Sequence, residues 1–139
     1  MNSTKYFLKK YNDLLIEEKQ LKASLEEWEA KAVPASSKVD GVPHGTDISD
    51  PTAQYGAKIA DIKQMLENNQ IAIANELVEI EQAISSLPKS FHRYILREYY
   101  IKGKKWEQIA VDTNYSIHHI WRLHGEALRK IEKMRDNER

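Results

Sequence analysis

The sequence predicts an all-α protein: a long N-terminal helical hairpin or coiled coil, followed by a small helix-turn-helix domain. Three observations lead to this fold class. Apolar residues recur at spacings of three and four over two long stretches, as they do on one face of a helix. Segments with proline and glycine separate these stretches from each other and from three shorter helical patterns. Only two residues separate the last two patterns, which is the length of a tight corner between helices. We therefore predict one domain over residues 1–86 and a second over residues 87–139.

The composition limits the class of protein. The chain has 139 residues, of which 41% are apolar and 30% are charged, which is enough for packed helices but lean for one large core. It has no apolar run long enough for a membrane span and no secretion-signal pattern, so we expect neither. The absence of cysteine excludes disulfides and thiolate metal sites and fits a reducing compartment.

Charge is spread unevenly along the chain. The formal net charge is zero, but residues 1–87 hold 9 Lys/Arg and 14 Asp/Glu, whereas residues 88–139 hold 12 and 7. The two parts therefore carry net charges of −5 and +5. Clustered cations gain affinity for nucleic acids by releasing counterions from the phosphates, so the basic part suits a phosphate-bearing partner. A helical surface that is simply rich in lysine explains the same excess nearly as well.

The first apolar stripe predicts a helix from about Thr4 to Lys31. Val33 precedes Pro34 and is therefore pushed out of the α region, which ends this helix. Residues 33–50 are rich in Gly, Pro, Ser and Asp and have no apolar period, so they predict a loop. The stripe consists of Leu8, Tyr11, Leu15, Glu18, Leu21, Leu25 and Trp28.

The second stripe predicts a longer helix that begins at Asp50-Pro51, because aspartate is a good N-cap and proline is tolerated at the first helical position. It keeps the seam spacing of a coiled coil for about four heptads. Asn69 is the residue type that fixes register in such a seam, and a solvent-facing asparagine is an equal alternative. The two stripes predict a hairpin that pairs within the chain, with a second copy, or both. The second stripe consists of Ile59, Ile62, Leu66, Asn69, Ile73, Leu77 or Glu76, Ile80, Ile84 and Leu87.

Three shorter helices are predicted after the break at Leu87-Pro88. Gly103 separates the first from the second, and Asn114-Tyr115 separates the second from the third. The predicted ranges are Lys89–Ile101, Trp106–Thr113 and Ser116 to about Arg135.

Several residue types suit a helix-turn-helix corner between the last two helices. Ala110 is small at the position where the two helices cross most closely. Asn114 stands where the turn needs a positive φ, which asparagine tolerates, and Ser116 is a favoured N-cap. The expected shared core consists of Ile109, Tyr115, Ile120 and Leu123.

The last helix has two chemically different sides when it is plotted at about 100° per residue. One side is apolar and anchors the helix, whereas the other is polar and basic. A helix of this kind suits the major groove of DNA, where its donors reach base edges and phosphates. Gly125 on the polar side either permits close approach to DNA or bends the helix. The apolar side holds Ile120, Leu123, His124, Ala127, Ile131 and Met134, and the polar side holds His118, Arg122, Gly125 and Arg129.

A set of residues in this domain forms a family pattern: Leu87-Pro88, Trp106-Glu-Gln-Ile-Ala110, Ser116, Ile120, Ala127-Leu128 and Ile131. From Ala110 to Ile131 without a gap, it resembles region four of the bacterial sigma-70 family. With the upstream helices and the segments Ser37 to Ala53 and Tyr94 to Trp106, the whole chain is similar to phage and prophage late-gene regulators of the ArpU/RinA type. The resemblance implies a sequence-specific regulator of late phage genes that binds double-stranded DNA in the cytoplasm of a bacterial host. It implies no cofactor and no catalytic residue.

The resemblance also implies which side chains contact DNA. Arg122 is the best candidate for base readout because guanidinium binds guanine O6 and N7 bidentately. A solvated helix residue is the plainer interpretation of Arg122, and packing on Tyr115 or Tyr99 is the alternative for Trp121. Lysines just before the second helix are expected to meet the phosphate backbone. The base-contacting positions are Ile117, His118, Trp121 and Arg122; the phosphate-contacting positions are Lys102, Lys104, Lys105, Ser116, His119 and Arg129.

Two other functions fit a chain of this predicted architecture. A small terminase-like packaging subunit also combines a helix-turn-helix with helical oligomerisation, and a sigma-like module that binds RNA polymerase is a second alternative. No histidine pair shares a helix at zinc-site spacing, so we expect no metal, and we expect Trp106 to be a core residue. No phosphate loop or nucleophile motif is present, so we expect no enzyme. A single small DNA-binding domain binds DNA weakly. We therefore expect the chain to form a homo-oligomer through the N-terminal helices.

Overall fold

A computed structural model describes residues 2–33 and 49–138 of the chain. These residues form helices and turns and contain no strand, so the predicted all-α fold class is confirmed. The helices are α1 (Asn2–Ala32), α2 (Ser49–Ser85), α3 (Ser90–Leu96) with a π-helical turn that continues it (Arg97–Ile101), α4 (Trp106–Thr113) and α5 (Ile117–Asn137).

The helix boundaries lie within two residues of the predicted ones at nearly every end. The helix α2 begins at Ser49, one residue before the predicted cap Asp50, and α4 has the predicted range. The stretch predicted as one helix over Lys89–Ile101 is divided, because its last turn is π-helical. Of the predicted loop over residues 33–50, positions 34–48 lie outside the described residues.

The chain divides into two compact units. Unit 1 comprises Met1–Leu15 and Ala72–Arg139, and unit 2 comprises Ile16–Ile71. This division differs from the predicted boundary between residues 86 and 87. The reason is that the first turns of α1 and the last turns of α2 share a core with α3, the π-helical turn and α5.

Unit 1 contains two clusters of buried apolar side chains. The larger one joins α1, α2, α3, the π-helical turn and α5, and the smaller one lies beneath the corner between α4 and α5. Each buried residue in them removes apolar surface from water, which is the main favourable contribution to folding. The larger cluster consists of Leu8, Tyr11, Ile80, Ile84, Leu87, Leu96, Tyr100, Ala127, Leu128 and Ile131. The smaller consists of Ile95, Ile109 and Ile120.

Unit 2 is an antiparallel helix pair formed by the rest of α1 and α2. The rings of Trp28 and Tyr55 lie 5.6 Å apart, and Gln70 Nε2 donates to Glu18 over 3.2 Å. The predicted hairpin therefore pairs within the chain in this unit. Asn69 is buried rather than solvent-facing, and no described residue donates a hydrogen bond to its Oδ1.

Candidate nucleic-acid interface

The corner between α4 and α5 has the backbone geometry that its sequence predicts. Asn114 adopts the left-handed conformation, with φ 60° and ψ 23°, and its N–H bonds to the Val111 carbonyl. Ser116 then caps α5, because its Oγ accepts the backbone N–H of His119 over 3.2 Å. Three residues, Asn114 to Ser116, therefore connect α4 to α5 and fix the direction in which α5 leaves α4.

The predicted core of the corner is confirmed for three of its four members. Ile109 and Ile120 are fully buried, and Leu123 packs against them. The prediction for Tyr115 was wrong, because its side chain is 45% exposed. Tyr115 lies in the turn rather than in either helix, so its ring lies at the surface and contacts the Phe91 ring edge-on at 5.1 Å.

The outward face of α5 carries most of the residues predicted to contact DNA. His118, Trp121, Arg122 and Arg129 are exposed. Ile117 and His119 are half-buried, and Ser116 is exposed at the cap. The anchoring side is as predicted, since Ile120, Ala127 and Ile131 are buried and Leu123, His124 and Met134 are half-buried.

Two side-chain pairs, each spaced three residues apart, organise this face. Arg122 Nη2 donates a hydrogen bond to His119 Nδ1 over 2.6 Å. Residue Trp121 meets the ring of His118 at 5.4 Å and 90°, so its aromatic neighbour is His118 rather than Tyr115 or Tyr99. The face thus presents one guanidinium and one edge-to-face aromatic pair side by side.

Among the described residues, His119 is the one hydrogen-bond acceptor that contacts the Arg122 guanidinium. The other N–H groups of this guanidinium can therefore bind a ligand. A guanidinium has five N–H donors, and the hydrogen bond to His119 uses one of them. The carboxylate of Glu126, one turn further along α5, receives a hydrogen bond from His92 over 3.2 Å. This bond, together with the nearby charge of Arg122, lowers the pKa of Glu126 below its ordinary value.

The three lysines predicted to meet phosphates differ in their surroundings. Lys104 Nζ lies 3.1 Å from Asp112 and 3.3 Å from Glu98, and these hydrogen bonds raise the pKa of Lys104. Lys102 Nζ lies 3.3 Å from Glu98. Lys105 is exposed and has no carboxylate at ion-pair distance among the described residues. Of the three, Lys105 therefore carries the charge that is least matched by neighbours.

The carboxylates that hold Lys104 were missed by the sequence reasoning. Glu98 is buried in the π-helical turn, and Asp112 lies on α4, where Gln108 also donates to it and lowers its pKa. The spacing of Glu98 and Lys102 is that of an i, i+4 helical pair and was a readable signal. The contact between Lys104 and Asp112 depends on the fold of the turn between them.

Two of the histidines in this domain are part of the packing. His92 is fully buried, and burial is the main reason why its pKa is lowered. His124 Nε2 and the Tyr100 hydroxyl are hydrogen-bonded over 2.7 Å, and burial lowers the pKa of His124 to about 4. Burial also raises the pKa of Tyr100. No group of three or more potential metal ligands occurs among residues 2–33 and 49–138.

Trp106 packs in the domain interior as predicted. Its ring stacks on Tyr99 with centroids 3.8 Å apart and planes 9° apart, and the His124 ring lies 4.6 Å away. It thereby joins α4 to the π-helical turn and α5, which leaves the outward face of α5 to the residues described above.

None of the described helices combines the length and apolar content needed to cross a membrane. A comparison of the chain with protein-family models, curated proteins and solved structures finds no match.

Proposed function

We propose that this chain is a sequence-specific DNA-binding transcriptional regulator whose recognition helix is α5. The observation that carries this proposal is the tight corner at Asn114, which presents an exposed face containing Arg122 directly after the capped amino end of α5. In helix-turn-helix proteins the amino-terminal residues of the second helix contact base edges. The face of α5 offers side chains of suitable length and chemistry at those positions.

Base readout in this proposal depends mainly on Arg122. A bidentate contact with guanine O6 and N7 contributes about 1–3 kcal/mol of discrimination between bases. Ile117, His118 and Trp121 add apolar surface that suits a thymine methyl group. His119 keeps the guanidinium in place through the 2.6 Å hydrogen bond until DNA is bound.

Phosphate contacts in this proposal provide affinity without sequence information. Ser116, His119 and Arg129 flank the base-reading residues on α5, and Lys105 precedes α4. Lys102 and Lys104 first have to leave carboxylate partners to serve the same role. We therefore assign the larger share of the backbone contact near α4 to Lys105.

The class of regulated genes follows from the sequence resemblance alone. The similarity to ArpU/RinA-type regulators supports late phage genes as the target and the bacterial cytoplasm as the place of action. Mapping the DNA sites that the chain binds tests this attribution, and sites that lie away from late phage genes contradict it.

A homo-oligomer through the N-terminal helices is the second part of the proposal. Among the described apolar residues of unit 2, only Leu21 is buried, and seam residues such as Leu66 are half-buried. Ile16, Met65 and Ile71 expose about half of their surfaces (49%, 53% and 54%). A second copy covers such surfaces, and coupling two readers raises apparent affinity roughly 100-fold or more at suitable spacing. Light scattering on the purified chain measures the molar mass of the species in solution. A monomer at micromolar concentration contradicts the proposed homo-oligomer.

Selection from a random duplex library, followed by titration of the selected and scrambled duplexes, tests the DNA proposal. We expect the binding constant to fall steeply with salt and the selected duplex to bind more tightly. In Arg122→Ala the preference for the selected duplex should decrease by about 1–3 kcal/mol. The matched control is Arg129→Ala, which should weaken binding to both duplexes equally.

Three outcomes contradict parts of the proposal. If the wild-type chain binds no duplex in a salt-dependent way, it is not a DNA reader, and co-purification with RNA polymerase then supports the interaction module. A ring of many copies with a packaging-enzyme partner supports the terminase-like alternative. An unchanged preference in Arg122→Ala removes Arg122 from base readout while leaving DNA binding intact.

A further inference from the structure

We propose that α1 takes part in phosphate binding, with Lys9 and Lys105 holding one backbone phosphate in a cleft at the amino end of α4. This inference rests on the proposed DNA-binding function. The cleft has a volume of about 430 Å³, which accommodates a phosphate group with several waters, since one water occupies roughly 30 Å³. Its polar lining comes from Lys9, Asn12 and Asp13 of α1 and from Gly103, Lys104 and Lys105 before α4.

The charges in this cleft favour a single monovalent anion. Lys104 is matched by Glu98 and Asp112 at 3.3 and 3.1 Å. Lys9 and Lys105 are exposed, and neither has a carboxylate at ion-pair distance in the part of the chain that the structure describes. Asp13 is the one carboxylate in the lining, so two unmatched ammonium groups face one negative charge. The remaining single positive charge corresponds to the single negative charge of a phosphodiester.

The position of the cleft fits the path of a DNA backbone in this kind of motif. In helix-turn-helix proteins the first helix of the pair crosses the backbone, and here that helix is α4. The first backbone N–H groups of a helix lack intrahelical partners and attract anions. At the amino end of α4 this attraction adds to the electrostatic attraction between a phosphate and the two lysines. A Cβ built on Gly103 meets no atom within 4 Å, so the space beside the turn is open.

The backbone at Lys9 is held in place by the neighbouring residues on α1. Leu8 is fully buried and Tyr11 is nearly so, and both belong to the core that contains Leu128 and Ile131 of α5. The first turns of α1 are therefore fixed to the reading domain. The backbone that carries Lys9 therefore does not have to be ordered when DNA binds, so only the Lys9 side chain loses conformational freedom on contact.

The test measures how the affinity of the full chain for a mixed-sequence duplex depends on salt. Each phosphate contact contributes about 0.9 to the slope of log K against log salt. For Lys9→Ala we expect the magnitude of this slope to decrease by about 0.9. When the salt concentration rises fourfold, the factor by which the affinity of the variant falls should then be about 3.5-fold smaller than that of the wild type. Asp13→Asn removes the opposing charge in the cleft and should tighten binding at low salt.

Lys10→Ala is the matched control. Lys10 is the next residue on α1 and points to Glu76, with Nζ 3.7 Å from the carboxylate, so its loss should leave the slope at the wild-type value. All three positions are exposed, and far-UV circular dichroism checks that each variant is folded. A wild-type slope in Lys9→Ala, or an equal decrease in Lys10→Ala, overturns the inference while DNA binding stands. Absence of salt-dependent binding by the wild type overturns the proposed function itself.

Discussion

The pKa of the half-buried His124 in unit 1 is lowered, which predicts a loss of stability on acidification. His124 Nε2 and the Tyr100 hydroxyl share a hydrogen bond of 2.7 Å. Burial, together with the charges of Lys5 and Lys9, lowers the pKa of His124 from 6.5 to about 4. The unfolded chain therefore binds this proton at a higher pH than the folded chain does. The stability that depends on neutral His124 is complete above pH 6.5 and falls as the pH decreases towards about 4.

The size of this effect follows from the two pKa values. One pKa unit corresponds to about 1.4 kcal/mol, so a shift of this size lowers the free energy of unfolding by about 2 kcal/mol between about pH 7 and about pH 5. The ring is half-buried and keeps some contact with solvent, which reduces the expected loss to about 1–2 kcal/mol. For a domain of marginal stability, a loss of this size is large.

Urea unfolding of the wild type and of His124→Gln at about pH 7 and about pH 5 measures this effect. Glutamine keeps an acceptor for the Tyr100 hydroxyl but does not titrate. Burial also lowers the pKa of His92, so the variant retains part of the pH dependence. We expect the difference between the two pH values to be about 1–2 kcal/mol smaller in the variant. If the variant loses as much stability as the wild type, His124 is not the residue responsible and the reasoning is refuted.

Substitutions at two further positions, Gly125 and Asn114, test the backbone of the helix-turn-helix. In Gly125→Ala the new methyl group meets only Arg129 Nη1 at 3.5 Å, an ordinary contact, so the thermal melting temperature should rise, with a gain of about 1 kcal/mol in stability; a lower melting temperature contradicts this. If the same variant also binds DNA more weakly, close approach of the backbone to DNA explains the glycine. Asn114 has a φ of 60°, so Asn114→Gly should leave the free energy of unfolding unchanged or raise it. Asn114→Ala should lower it by about 1 kcal/mol, and equal stability of the two variants in urea contradicts a strained turn.

Local sequence signals were sufficient for most of the fold. The spacing of apolar residues predicted α1, α2 and α4, because periodic burial of one face is a property of each helix by itself. The left-handed turn at Asn114 and the cap at Ser116 were predictable for the same reason, since both depend on neighbours within three residues. The apolar side of α5 was also correct. The π-helical turn at Arg97–Ile101 was not predicted. A π-helical turn and an α-helix are formed by the same types of residue, so the sequence does not distinguish them.

The sequence predicted which residues belong to the candidate site, but it did not predict the contacts between their side chains. The sequence indicated a basic, polar face on α5, and the exposed positions of His118, Trp121 and Arg122 agree with that expectation. It did not indicate that His119 accepts a hydrogen bond from Arg122 or that Lys104 is held by two carboxylates. Whether a charge is free to meet a ligand depends on which opposite charges the fold brings near it.

The all-α fold class, the ends of most helices and the inward side of α5 could all be predicted from the amino-acid sequence. These features follow from residues within one or two helical turns of each other. That the first turns of α1 and the last turns of α2 belong to the same compact unit as the helix-turn-helix could not be predicted in this way, because Leu8 and Ile80 join the core of Ile131 only after the chain has folded back on itself. For the same reason, only the tertiary structure brought Lys9 to the amino end of α4, nearly a hundred residues away along the chain.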